Sequence, residues 1–183
     1  MIKVPFRAVL IFLIALVAIG GVINLEMEKS STSNATVSDG VCSDKGVTLV
    51  VDFGSKSGQE PITRCVREFS GTGWDLFEAA GVKVAGTSEY PEAFVCRIAN
   101  FPHAEKEDCL GTPDFASGSW SYFYSSVSAS DENSQPAKWQ RSPVGAATRM
   151  PACGEFEGWL FTNSPSEIST DPAPFKCNAN ATE

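Results

Sequence analysis

Few residues of this chain are equipped for chemistry, and their spacing limits what that chemistry is. His103 is the only histidine. A Ser-His-Asp hydrolase would have to use it as its base, yet Phe101-Pro102-His103-Ala104-Glu105 reads as a turn and no Gly-x-Ser-x-Gly elbow occurs. His103 is therefore expected on a surface loop. Glu155 and Glu157 stand two apart beside Gly158. At strand spacing both carboxylates would point the same way, toward solvent, whereas the acid–base pairs of glycosidases come from separate segments. The clusters Glu105-Lys106-Glu107-Asp108 and Asp131-Glu132-Asn133 lack the ligand pattern of a calcium loop, and no phosphate-cradling motif is present. No catalytic residue emerges, and the chain reads as a non-enzyme.

The six cysteines are Cys42, Cys65, Cys96, Cys109, Cys153 and Cys177. The closest two stand thirteen positions apart, which does not match the Cys-x2-Cys spacing of zinc sites, so no metal is expected. An even count in an oxidising compartment points instead to disulfides, with fifteen full pairings open. The favoured set joins the near neighbours Cys96 and Cys109 and the terminal pair Cys42 and Cys177, leaving Cys65 with Cys153.

Aromatic residues are the other unusual feature. Trp120, Tyr122 and Tyr124 alternate along one face of a strand, with Phe123 on the other, and Trp139 and Trp159 follow. Such rings either fill a core or present a flat surface to a ligand. If a ligand is bound, these five residues are the candidates.

The elements that would position them follow from periodicity. Val47, Leu49, Val51 and Phe53 alternate with Thr48 and Asp52, which predicts a half-buried strand over Val47–Phe53. A Gly-Ser-Lys-Ser-Gly loop breaks it, and Ile62–Phe69 predicts a second strand paired back. Thr72 can cap a short helix over Gly73–Ala80, with Trp74, Phe77 and Ala80 at helical spacing and Gly81 just beyond. Further strands are expected at Val82–Thr87, Phe94–Ala99, Ser119–Ser125 and Gly158–Thr162, and a weaker one around Trp139. The order predicts an α+β domain with the helix laid across a mixed or antiparallel sheet.

Lys3 and Arg7 precede an apolar run, Ala8–Leu25, of eighteen residues, about 27 Å as a helix and close to the hydrocarbon thickness of a bilayer. The order of charge and apolar run predicts export of everything that follows. Two fates fit: cleavage after Ala18-Ile19-Gly20, or retention as an N-terminal anchor. Residues 26–40, polar and without apolar period, read as a flexible spacer; residues 41–177 form the domain and 178–183 a tail. Without Lys3 and Arg7, 12 of the 14 basic residues remain against 22 acidic ones, a net charge of −10. Nucleic acid is thereby a poor partner, and membrane contact is expected only through the N-terminal segment.

In order and spacing, Thr72-Gly73-Trp74-Asp75-Leu76-Phe77-Glu78-Ala79-Ala80-Gly81, Phe94-Val95-Cys96-Arg97-Ile98, Trp120-Ser121-Tyr122-Phe123 and Glu157-Gly158-Trp159-Leu160-Phe161 resemble the β-grasp domain at the C-terminus of transcobalamin and intrinsic factor. They are closer still to small bacterial exported proteins carrying that domain alone. The resemblance covers about residues 47–161. It implies a β-grasp-like, non-enzymatic surface domain that binds a small ligand, with a corrinoid as one candidate, and that captures a cofactor or hands it to a vitamin transporter. It places the Trp120–Tyr124 and Glu157–Phe161 strands at the ligand-facing end. The chain departs from the family in lacking the helical barrel of transcobalamin and in having Ser125-Ser126-Val127 where an Asn-Gly turn is common. A structural or adhesive surface domain is the other reading; it would bury the rings and pair through an edge strand.

Overall fold

The computed structural model describes residues 35–127 and 137–177. The export segment, most of the spacer, Asp131-Glu132-Asn133 and the tail from 178 lie outside the described residues. Among the described residues, no helix is long and apolar enough to cross a membrane.

The alternating apolar run at the start of the domain becomes β2 (Val47–Asp52), at the centre of a six-stranded sheet. It pairs antiparallel with β3 (Ile62–Arg67), Val47 opposite Val66 and Val51 opposite Ile62. On its other side it runs parallel to β8 (Phe156–Thr162). β8 is antiparallel to β6 (Ser119–Ser125), with Trp120 opposite Phe161 and Tyr122 opposite Trp159. β1 (Thr36–Asp39) edges β3 and β7 (Gln140–Arg141) edges β6, so the order is β1-β3-β2-β8-β6-β7. β4 (Val84–Gly86) and β5 (Val95–Ile98) form a separate antiparallel pair. Sheet dominates. The α-helix α1 (Asp75–Ala79) is five residues long, so the domain is α+β only in the loose sense of one helix beside a mixed sheet.

Local chemistry explains so short a helix. Thr72 Oγ1 accepts from the Asp75 amide at 3.2 Å, and the Asp75 carboxylate accepts from the Thr72 amide at 2.8 Å, a reciprocal N-terminal cap. Gly81 follows the helix at φ +67°. There the Gly81 amide donates to Glu78 O and the Val82 amide to Phe77 O, closing a Schellman turn that residues with a Cβ rarely adopt. A five-residue helix has little stability of its own; Leu76 and Phe77, buried against the sheet, supply it.

The sheet is covered on both faces. On one, Leu49, Val51, Phe53, Trp120, Tyr122 and Trp159 pack against α1 and the β4–β5 pair. On the other, Val50, Phe123, Phe156 and Leu160 pack under Ile168 and Trp139. All six residues of β2 are consequently buried, which corrects the expectation of a half-buried strand. The polar residues on its second face are compensated: Thr48 Oγ1 accepts from the Cys42 amide at 2.9 Å, and Asp52 accepts from Ser169.

Three disulfides join the six cysteines. Cys96–Cys109 is as expected. The other two are Cys42–Cys65 and Cys153–Cys177, not Cys42–Cys177 and Cys65–Cys153. The cause is β1, which the sequence assigned to the spacer. Its register sets Ser38 opposite Cys65, and the chain turning at Gly40 brings Cys42 to a Cα–Cα distance of 4.9 Å from Cys65. At the far end, the Phe175 amide donates to Gly154 O, which lays the C-terminal stretch beside Cys153. Three intramolecular disulfides mark an oxidising, extracytoplasmic environment.

Candidate functional site

Because β2 and β8 are parallel neighbours, they stop at the same end of the sheet, and the loops that leave them diverge around a cleft of about 710 Å³. Its floor is made of the half-buried Phe101 and Phe161, with Phe53, 2% exposed, packed behind them. Phe101 meets Phe53 and Phe161 edge to face, with ring centroids 5.6 and 4.8 Å apart. Phe101 enters from the tight turn after β5, where Ile98 and Phe101 exchange backbone hydrogen bonds and both Ala99 and Asn100 have positive φ. Gly118 lies beneath: at φ +106° a side chain would be strained, and a Cβ 2.6 Å from the Phe161 ring would force that ring to shift.

The walls are polar. The loop after β2 brings Lys56 and Ser57, the turn after β5 brings His103 and Lys106, and the segment after β8 brings Asn163 and Ser164. Asp52, buried at the end of β2, accepts from the Gly54 amide at 2.8 Å, the Ser169 amide at 2.8 Å and Ser169 Oγ at 2.6 Å. Its charge is thus consumed in fixing the C-terminal wall to the sheet. Lys56 and Lys106 have no ion pair among the described residues.

The five aromatic candidates are not gathered into an accessible platform. Trp120 is 7% exposed, Tyr122 9% and Trp159 5%. Trp120 lies behind the cleft floor, edge-on to Phe53 and Phe161. Trp159 stacks on Tyr122 at 4.4 Å between centroids. Trp139, half-buried, packs on the opposite face of the sheet and donates its Nε1–H to Thr170 O at 2.7 Å. Tyr124 is half-buried beneath Arg149, whose Cζ sits 4.1 Å from its ring centroid. The assignment of Trp120 and Trp159 to a ligand-facing surface is therefore corrected. A sheet covered on both faces leaves alternating aromatics nowhere to go but the core.

Glu157 is also corrected: it is 0% exposed rather than solvated. The Tyr122 hydroxyl donates to Glu157 Oε2, and Arg149 Nε donates to Oε1 at 2.8 Å. Arg149 Nη2 reaches Glu155 at 2.7 Å. Burial pushes the Glu157 carboxyl up to about 7, against the pull of the Tyr122 and Arg149 donors. Burial, and then the Glu157 charge, push the Tyr122 hydroxyl up as well. Arg149 is held protonated because its two carboxylates outweigh its own desolvation. The Gly73 amide donates to Arg149 O and the Trp74 amide to Ala146 O. This network therefore fastens the start of α1 to the sheet, on the covered face and not in the cleft.

Among the described residues, the group best placed for a metal is Cys96, Glu107 and Cys109. The two sulfurs are bonded to each other, so they offer no thiolate. His103, exposed, makes an edge contact with Phe101 and no hydrogen bond to a hydroxyl or carboxylate among the described residues. Sequence reasoning missed the cleft because its floor comes from three segments that only the strand order brings together. The one signal was Gly54-Ser-Lys-Ser-Gly, a polar loop directly after an apolar strand. No family model, characterised protein or solved structure matches the chain.

Proposed function

We propose that this is an exported, non-catalytic domain that holds a small ligand in the cleft at the ends of β2 and β8. The observation that carries the reading is the cleft itself: an aromatic floor inside a ring of polar side chains, with a volume in the ordinary range for small-molecule sites. The topology supports a β-grasp-like assignment, since the β2–β3 hairpin is followed by α1 and β8 returns parallel to β2 at the centre. The sequence resemblance to transcobalamin-type domains points the same way. In this reading the N-terminal segment delivers the domain outside the cytoplasm, either as an anchor or as a cleaved leader. The ligand is a cofactor captured for hand-over to a transporter. A corrinoid would be capped by the cleft mouth rather than enclosed.

The test is thermal unfolding of the disulfide-bonded protein against a panel of vitamins, a corrinoid included. A ligand at a hundred times its dissociation constant stabilises by about 2.7 kcal/mol. Ser117→Trp, placed on the exposed cleft wall, should abolish the shift while leaving the unliganded melting temperature unchanged. A shift that survives Ser117→Trp rules the cleft out. The absence of any shift favours the second reading, a surface-interaction domain. Two observations support that alternative: the buried tryptophans, and the outer edge of β1, whose four residues are all exposed.

A further inference from the structure

The chemistry of the cleft lining narrows what it holds. In a domain whose acidic residues outnumber its basic ones, unpaired cations gathered in one cavity are uncommon. Yet Lys56 and Lys106, from two separate loops, both line this cleft, and neither has a carboxylate partner among the described residues. The carboxylates of the lining do not cancel them. Asp52 is occupied by three donors from Gly54 and Ser169, which leaves the exposed Glu167 against two lysines. Exposed hydroxyl and amide groups, Ser55, Gln59 and Asn163 among them, add neutral hydrogen bonds to the same rim. Beneath them half-buried Phe101 and Phe161, backed by the buried Phe53, offer ring surface and no hydrogen bond, so the deep part of a ligand must be apolar, and edge-to-face rings favour a flat aromatic body. Among the described residues no arginine lines the cleft, which disfavours bidentate recognition of phosphate.

Resting on the ligand-binding reading above, we propose that the cleft selects an aromatic acid: a flat apolar body seated on Phe101 and Phe161, with one carboxylate-like anion held between Lys56, Lys106 and the hydroxyl rim.

Two fluorescent probes with one ring skeleton test this on the full disulfide-bonded protein. 1-Anilinonaphthalene-8-sulfonate carries an anion, and N-phenyl-1-naphthylamine lacks it. The anionic probe should bind at one site roughly tenfold more tightly than the neutral one, as expected for charge-assisted hydrogen bonds at a part-exposed site. Lys56→Glu with Lys106→Glu should remove that preference while leaving the neutral probe's affinity and the melting temperature unchanged. Ser117→Trp should weaken both probes. Equal affinity for the two probes on the native protein overturns anion selection by itself, whether or not the charge-reversed variant folds. So does anionic binding that survives charge reversal. In both cases the cleft reading stands as long as Ser117→Trp weakens binding. If neither probe binds, or both bind the Ser117→Trp variant undiminished, the cleft reading falls and this proposal with it.

Discussion

Replacing Glu157 by Gln removes one ionisable group from the interior while keeping its shape, and the consequence for stability is calculable. The carboxyl has an ordinary value of 4.5 when solvated and is pushed up to about 7 by burial in the fold. The native state therefore holds the proton more tightly than the unfolded chain. Below pH 4.5 both states are protonated and the contribution of the group to stability is fully present. As pH rises toward 7 the unfolded chain releases its proton first, and stability is lost. The gap corresponds to about 3 kcal/mol, complete above the native value. The other carboxylates titrate in both proteins and cancel in the difference, which isolates Glu157. Urea unfolding of the disulfide-intact protein and of Glu157→Gln, followed by tryptophan fluorescence between pH 4 and 8, should give stability curves that approach or cross as pH rises. The native advantage over the variant should shrink by about 3 kcal/mol, or roughly 1–3 M in midpoint. Parallel curves would show that Glu157 does not titrate differently in the fold. A native advantage that grows with pH would show that the Arg149 ion pair outweighs desolvation, and the reasoning would be refuted.

Trp120→Ala and Trp159→Ala should each cost about 3–5 kcal/mol of stability, read as a large drop in melting temperature; a drop of only a degree or two would return these rings to the surface. Cys42→Ser with Cys65→Ser should cost about 3 kcal/mol by the loop-entropy estimate for a separation of 23 residues. It should also raise amide exchange selectively in β1 and β3, and peptide mapping of the unreduced native protein should recover the Cys42–Cys65 peptide.

Much of the fold was legible where one periodicity governed one segment. β6 spans Ser119–Ser125 as its alternation predicts, and α1 lies between Thr72 and Gly81 because cap and stop are both local signals. Failures occurred where burial depends on a distant segment. Thr48, Asp52 and Glu157 look like solvent-facing residues to a two-residue period. They are buried because Cys42, Ser169 and Arg149 supply their hydrogen bonds from elsewhere in the chain. β1 was invisible since none of its four side chains is buried, so no apolar pattern could mark it. Its backbone pairing and the Cys42–Cys65 bond hold it instead. Missing β1 then misdirected the disulfide pairing. The site was misread for a related reason: aromatic composition flagged tryptophans that a sheet covered on both faces consigns to the core, while of the cleft phenylalanines only Phe161 stood in a motif and Phe101 sat unmarked in a turn.

The placement of β8 beside β2 has a bearing on how the chain reaches its destination. The strand that completes the centre of the sheet follows both of its partners, β2 and β6, in chain order. Until residues 156–162 arrive, β2 and β6 lack the neighbour that both pair with. Pairing of this kind, between segments about a hundred residues apart, is slow to form. On the export reading proposed above, the connectivity thus delays completion of the sheet until β8 has followed β2 and β6 across the membrane.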